Sequence, residues 1–213
     1  AFMGDYYTKA QTIHQLCGIL EERLVHASSG NTSRISFKNV LNAYRSPPLR
    51  KVDEFDLQEG LLSSSDMEIF ENDPERIIRL FRHAQKFKAK LSPDLRALVR
   101  NRLSLIDSTL INSSSANVTF RSILQEVGNV SPILYEMHEL GVLGRFVPEF
   151  GRLSCKVQHD LYHRFTADVH VLHCLRKLDE VFQNKNSKFK HYLEALRKNE
   201  VPGLLYLILF LHD

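Results

Sequence analysis

The sequence predicts a mainly α-helical molecule, a helical bundle with one small two-stranded β element at about residues 51–63. Three observations predict it. Apolar groups recur at helical spacing through most of the chain, as they do when one face of a helix packs on a core. Two helix starts are spelled out, Asp73-Pro74-Glu75 and Ser92-Pro93-Asp94, each with a capping side chain ahead of a proline at the first helical position. One run alone, Val52-Asp53-Glu54-Phe55-Asp56-Leu57, alternates apolar and polar residues instead.

Residues 5–27 place Tyr6, Ile13, Leu16, Leu20 and Leu24 on one helical face, and the Ser28-Ser29-Gly30-Asn31 cluster ends that helix. Pro47-Pro48 closes the ambiguous stretch that follows, since proline lacks the N–H a helix interior needs. The alternating run then leads into Gln58-Glu59-Gly60 and Leu61-Leu62, a hairpin signal. After Asp73, Ile77, Leu80, Phe81, Ala84 and Phe87 line one face, and the helix begun at Ser92 is expected to reach about Leu110. Loops at 112–117 and 128–131 separate two shorter helices. Gly141, Gly144, Pro148 and Gly151 interrupt the pattern and mark the best candidate for a domain boundary. Helices are expected beyond it over about 157–183, 187–199 and 203–213. The run Leu204 to Leu211 is apolar on every side, which predicts burial on every side.

Composition excludes several classes. With 43% apolar residues and a net charge of +3, the 213-residue chain can offset its ordering entropy by burial, so it is not disordered. Its longest apolar run is eight residues, against the roughly 20 that cross a bilayer, so no membrane partner is expected. A pI near 8.7 is mild for a nucleic-acid binder. Cys17, Cys155 and Cys174 are odd in number and form no CxxC pair, which speaks against a disulfide framework or zinc knuckle and for a reducing cytoplasm. No stretch resembles a secretory signal, a GxSxG nucleophile elbow or a Gly-rich phosphate loop. The chain opens inside an amphipathic pattern and stops just after an apolar one, as an internal fragment of a larger protein would.

Histidine is the outlier, with ten in all and six between His159 and His212. On an unbroken helix, His159, His163 and His170 fall within about 40° of arc. Imidazole is the commonest protein ligand for transition metals, and carboxylates such as Asp168 fix its tautomer. The apolar run ends in His212-Asp213, which would place an imidazole and a carboxylate inside a bundle, where charge must be paired or coordinated. A structural role for these histidines is the competing reading.

Together these features resemble the HD superfamily of metal-dependent phosphohydrolases, helical domains in which one His, a consecutive His-Asp and a later His and Asp hold one or two divalent metals. Within it, the stretch Gly141-Val142-Leu143-Gly144-Arg145-Phe146-Val147-Pro148-Glu149-Phe150-Gly151-Arg152-Leu153 is very similar to a segment of the family of bifunctional uridylyltransferase/uridylyl-removing enzymes that modify the PII nitrogen-signalling protein. Gln158-His159-Asp160-Leu161-Tyr162-His163 and Thr166-Ala167-Asp168-Val169-His170 resemble its next motif, and Phe2-Met3-Gly4-Asp5-Tyr6-Tyr7 its stretch just after the nucleotidyltransferase core. The resemblance implies that residues 1–50 are a helical connector after a nucleotidyltransferase core, 51–145 a helical linker region with the hairpin, and 146–213 the first part of an HD domain. It further implies hydrolysis of a uridylyl-tyrosine phosphodiester, with PII as substrate partner and transferase and C-terminal sensing domains as neighbours. His170, His212 and Asp213 would be the catalytic metal ligands, for Mg or Mn. His159, His163 and Asp168 would stand behind them or face the substrate. Phe165 and Ala167 depart from the family's Tyr and Val, and a later His and Asp lie outside this sequence. The chain alone is therefore expected to be inactive and to hold metal weakly or not at all.

Two alternatives stay open: a helical regulatory or interaction module without chemistry, and an HD-type nucleotidase of other substrate. A second feature is the stretch Arg76 to Arg102, where nine Lys/Arg accompany the single acid Asp94. It is either a docking face for an acidic partner or a solvated face opposite the apolar stripe.

Overall fold

The computed structural model describes residues 49–153, 166–183, 189–197 and 201–212, with scattered helical positions between 6 and 24. It is mainly helical around one small sheet. Strands β1 (Arg50–Val52), β2 (Phe55–Gln58) and β3 (Leu61–Ser63) form an antiparallel meander, with Val52 opposite Phe55 and Gln58 opposite Leu61. Helices α1 (Ile69–Asn72) and α2 (Arg76–Phe87) then return the chain to β4 (Lys90–Leu91), which pairs parallel with β3.

The sheet has four strands rather than the two expected. The expected first strand is folded in its middle, because Asp53 and Glu54 both take positive φ (50° and 68°) and make a two-residue turn. Neither is glycine or asparagine, so the turn carries no compositional mark. The second turn, Glu59-Gly60, has the same geometry with the glycine such turns favour. Strand β4 is two residues long, too short for any alternation to show.

Ser92 caps α3 (Pro93–Asn101) as expected, its hydroxyl accepting from Leu95 N at 3.2 Å. That helix stops at Asn101 instead of reaching Leu110. A 3₁₀ turn (Leu103–Leu105) intervenes, and Asp107 starts α4 (Ser108–Ile111) by accepting from Thr109 N and Leu110 N. Next come α5 (Ser114–Leu124), α6 (Ser131–Glu139), α7 (Val142–Phe146) and α8 (Pro148–Gly151). Gly141 enters α7 at φ +80°, and a Cβ on Gly151 would sit 2.3 Å from the Gly144 carbonyl oxygen. The glycine-marked segment is thus a close helix–helix crossing, built for backbone contact.

Helix α9 (Ala167–Phe182) begins after an extended Thr166, which rules out one unbroken helix from 157 through His170. It is followed by α10 (Lys190–Arg197) and α11 (Pro202–Phe210). One buried cluster runs from Phe55 to Phe210 and crosses residues 145 and 146, where the sequence suggested a boundary. Phe120, Phe146, Phe150 and Phe210 meet at its centre, with the Phe150 and Phe210 rings stacked at 5.2 Å.

Helix α11 is not buried all round. Tyr206 and Phe210 face the core, whereas Leu204, Ile208 and Leu211 are 48%, 53% and 54% exposed and form a stripe on the other side. An all-apolar sequence states that a helix has no polar face, but not how many neighbours the described residues supply. Tyr6, Ile13, Leu16, Leu20 and Leu24 are likewise exposed. No helix among the described residues is long and apolar enough to cross a membrane.

Candidate metal centre

Helices α9 and α11 are brought together by a buried polar knot. Asp179, buried on α9, accepts from Ser131 N at 2.7 Å, from Val130 N at 3.2 Å and from the Tyr206 hydroxyl at 2.7 Å. A carboxylate from a different helix thereby satisfies the open amides at the start of α6. The Tyr206 hydroxyl in turn accepts from Gly128 N at 2.8 Å. Burial and the Asp179 carboxylate push its pKa far above the ordinary tyrosine value. Gln183 donates to the Gly128 carbonyl, and Gln85 on α2 donates to the carbonyls of Ile123 and Asn129.

This frame carries His170 and His212 to the same place, their ring centroids 5.6 Å apart. Cys174, one turn after His170 on α9, joins them, with Sγ 3.6 Å from His170 Nε2. One ligating atom from each of His170, Cys174 and His212 lies within 4.8 Å of the others. His212 Nδ1 stands 2.6 Å from the Leu209 carbonyl oxygen. A carbonyl only accepts, so this contact calls for the proton on Nδ1, which leaves the lone pair on Nε2. Beside the cluster an open groove of about 740 Å³ is walled by Leu178, Val181, Tyr192 and Leu209, with His173 and Lys177 also lining it. Partial burial, with the cations of Arg176 and Lys177, holds His173 below the ordinary histidine pKa.

Of the remaining expected residues, Asp168 is among the described ones. Asp168 is 1% exposed and directs its carboxylate at His138 on α6, 3.6 Å away, and at Val169 N. Burial keeps the His138 pKa low despite the pull of Asp168, and its ring meets Phe150 edge-on. His159, His163 and Asp213 lie outside the described residues. Cys174 has a signal in the sequence: the spacing His170-x-x-x-Cys174 puts both side chains on one helix face. Two imidazoles and a thiol suit a divalent transition ion, so the residues present fit a metal.

The basic stretch is largely neutralised within the chain. Arg79 binds Asp53 at 2.7 Å and Asp73 at 2.6 Å, and Arg76 reaches Asp53 at 3.4 Å. Arg82 pairs with Glu126, Arg96 with Glu136 and Glu139, and Arg102 with Glu71. Burial would raise the Asp53 pKa, but hydrogen bonds from Arg79, Arg76 and His83 hold it below 3.8. Asp73 lies just ahead of the stretch, but the other partners are 23 or more residues away, so the run itself shows few of the charges that balance it.

Comparison with known proteins shows one consistent similarity. Residues 55–146 match the family model of the uridylyltransferase GlnD third domain. The bifunctional uridylyltransferase/uridylyl-removing enzyme of Rhodopseudomonas palustris is 32% identical over 218 residues, covering 100% of this chain and 23% of that protein. Enzymes of the same name from Bradyrhizobium strains ORS 278 and BTAi1 are 29% and 30% identical over the same shares. The chain thus spans about a quarter of the length of these relatives. Residues 55–146 thus match the GlnD third domain, and the chain is similar from end to end to part of the bifunctional uridylyltransferase/uridylyl-removing enzymes.

Proposed function

We propose that the chain is the part of a PII-modifying enzyme that links the end of a nucleotidyltransferase core (residues 1–50), through a helical region (51–145), to the first part of an HD-type uridylyl-removing domain (146–213). The observation that carries this reading is the meeting of His170 and His212 from two separate helices, 5.6 Å apart, where the resemblance puts two metal ligands. Asp213 completes the set in the proposal. A divalent ion held there would polarise a phosphodiester and lower the pKa of water, the chemistry that cleaving uridylyl-tyrosine requires.

The chain's own residues supply orientation. His212 is locked in one tautomer by the Leu209 carbonyl, and the helix before it is fixed by Tyr206 on Asp179. The substrate partner is a PII-type protein, the neighbours are transferase and C-terminal sensing domains, and the site of action is the cytoplasm.

The test uses the full-length enzyme with His170→Ala or His212→Ala. Release of uridylate from uridylylated PII should fall by about 10³-fold or more, while uridylyl transfer to PII is retained. Removal at the wild-type rate would overturn the proposal. Loss of both activities with the fold intact would favour a purely architectural role. Activity on free nucleotides alone would favour an HD-type nucleotidase.

A further inference from the structure

We infer that Cys174 is a third ligand of the metal centre and that it selects a thiophilic divalent ion, Zn²⁺, Co²⁺ or Fe²⁺, over Mg²⁺. The inference deepens the reading of His170 and His212 as ligands and rests on it. Three ligating atoms, from His170, Cys174 and His212, lie within 4.8 Å of one another, close enough to move onto one ion. They come from two elements that the Asp179–Tyr206 contact holds together, so the cluster is set by tertiary packing. His212 has the tautomer of a ligand, with Nδ1–H on a backbone carbonyl and the lone pair on Nε2.

The donor chemistry decides the metal class. Mg²⁺ takes oxygen ligands in octahedral geometry and gives up its waters reluctantly, whereas three of the donors here, beside the carboxylate proposed for Asp213, are two nitrogens and a sulfur. Thiolate and imidazole are donors for zinc and its neighbours, whose affinity for such sites far exceeds that of hard ions. Cys174 lines the same open groove as Leu178 and Leu209, so an ion can reach it from solvent. On binding, the Cys174 S–H bond breaks, sulfur keeps the electron pair and gives it to the metal, and the proton passes to water. The thiolate then contributes a full negative charge, which two neutral imidazoles lack.

The test titrates Co²⁺ alone into the metal-free full-length protein and follows its absorption. The expected result is a near-ultraviolet sulfur-to-cobalt charge-transfer band, quenched when Zn²⁺ displaces Co²⁺ and unaffected by a large excess of Mg²⁺. Cys174→Ser should abolish the band and weaken Co²⁺ binding by at least about tenfold, since losing even a partner behind a ligand costs about 10–100-fold. Cys174→Ala serves as a second variant, with circular dichroism confirming the fold of each. Should both variants fail to fold, Mg²⁺/Zn²⁺ competition on the wild type decides.

Absence of the band with Co²⁺ bound, failure to bind Co²⁺, displacement by Mg²⁺, or a band that survives Cys174→Ser would each overturn the inference. Uridylyl-PII hydrolysis is measured on the same samples. A band without hydrolysis leaves the ligand standing and removes the proposed function, whereas hydrolysis without a band does the reverse.

Discussion

Asp179 shows how much one buried carboxylate can organise. Its oxygens serve two backbone amides at the start of α6 and the Tyr206 hydroxyl. Asp179→Ala strands three buried donors, each costing about 1–3 kcal/mol when left unmade, so a loss of about 3–5 kcal/mol is expected in denaturant unfolding. A loss under about 1 kcal/mol would show that water replaces the carboxylate. His83 supports a pH prediction. Burial depresses its pKa below 6.5 despite the pull of Asp53, and Arg79 and Lys86 add to the depression. The unfolded chain therefore takes up this proton first, so stability is full above pH 6.5 and declines as pH falls toward the folded value. His83→Gln should flatten that decline, and identical slopes in variant and wild type would contradict the assignment. Asp53 acts at lower pH, where its contribution is present above 3.8 and lost as pH falls through its lower folded value.

Helix α11 separates its two faces energetically, though its sequence does not. Phe210→Ala should cost about 3–5 kcal/mol, because that ring packs between Phe120 and Phe150. Ile208→Ser, on the exposed stripe, should change stability by less than about 1 kcal/mol in the same thermal unfolding assay. Equal losses would mean that the second face is covered. The same helix shows what the sequence reveals and what it hides. Its existence, its apolar character and its delivery of His212 to His170 follow from local pattern and resemblance. Its half-exposure is a matter of neighbours, which no local pattern encodes. The meander shows the complementary case, since the Asp53-Glu54 turn is held by the cations of Arg76 and Arg79 on α2 and not by turn residues. Cys174 is hard to read from sequence for a related reason: it lies near histidines rather than a second cysteine, and one of them, His212, is remote in sequence.

At the scale of the molecule, the buried cluster of the described residues continues across the glycine-marked segment. The segment matching the GlnD third domain ends at residue 146, yet the cluster that buries Ile123, Val130 and Leu134 also contains Val171, Leu175, Tyr206 and Phe210. Residues 55–146 produced alone should therefore lack stable tertiary structure, seen as lost near-ultraviolet dichroism and dye binding; a cooperatively unfolding fragment would contradict this. The mainly helical class was legible throughout, because periodicity and caps are local. The continuity of the buried cluster across residue 146, among the described residues, was not, because it depends on contacts between segments far apart in sequence. One consequence concerns time. Gly128 and Val130 sit in the connection between α5 and α6, and Ser131 opens α6, positions where backbone protons normally trade with solvent quickly. Here their amides are held by Tyr206 and Asp179, so none is released until α9 or α11 lets go. In a deuterium-exchange experiment this short connection should keep its label as long as the central helices do, and act as a clock for the departure of the C-terminal pair.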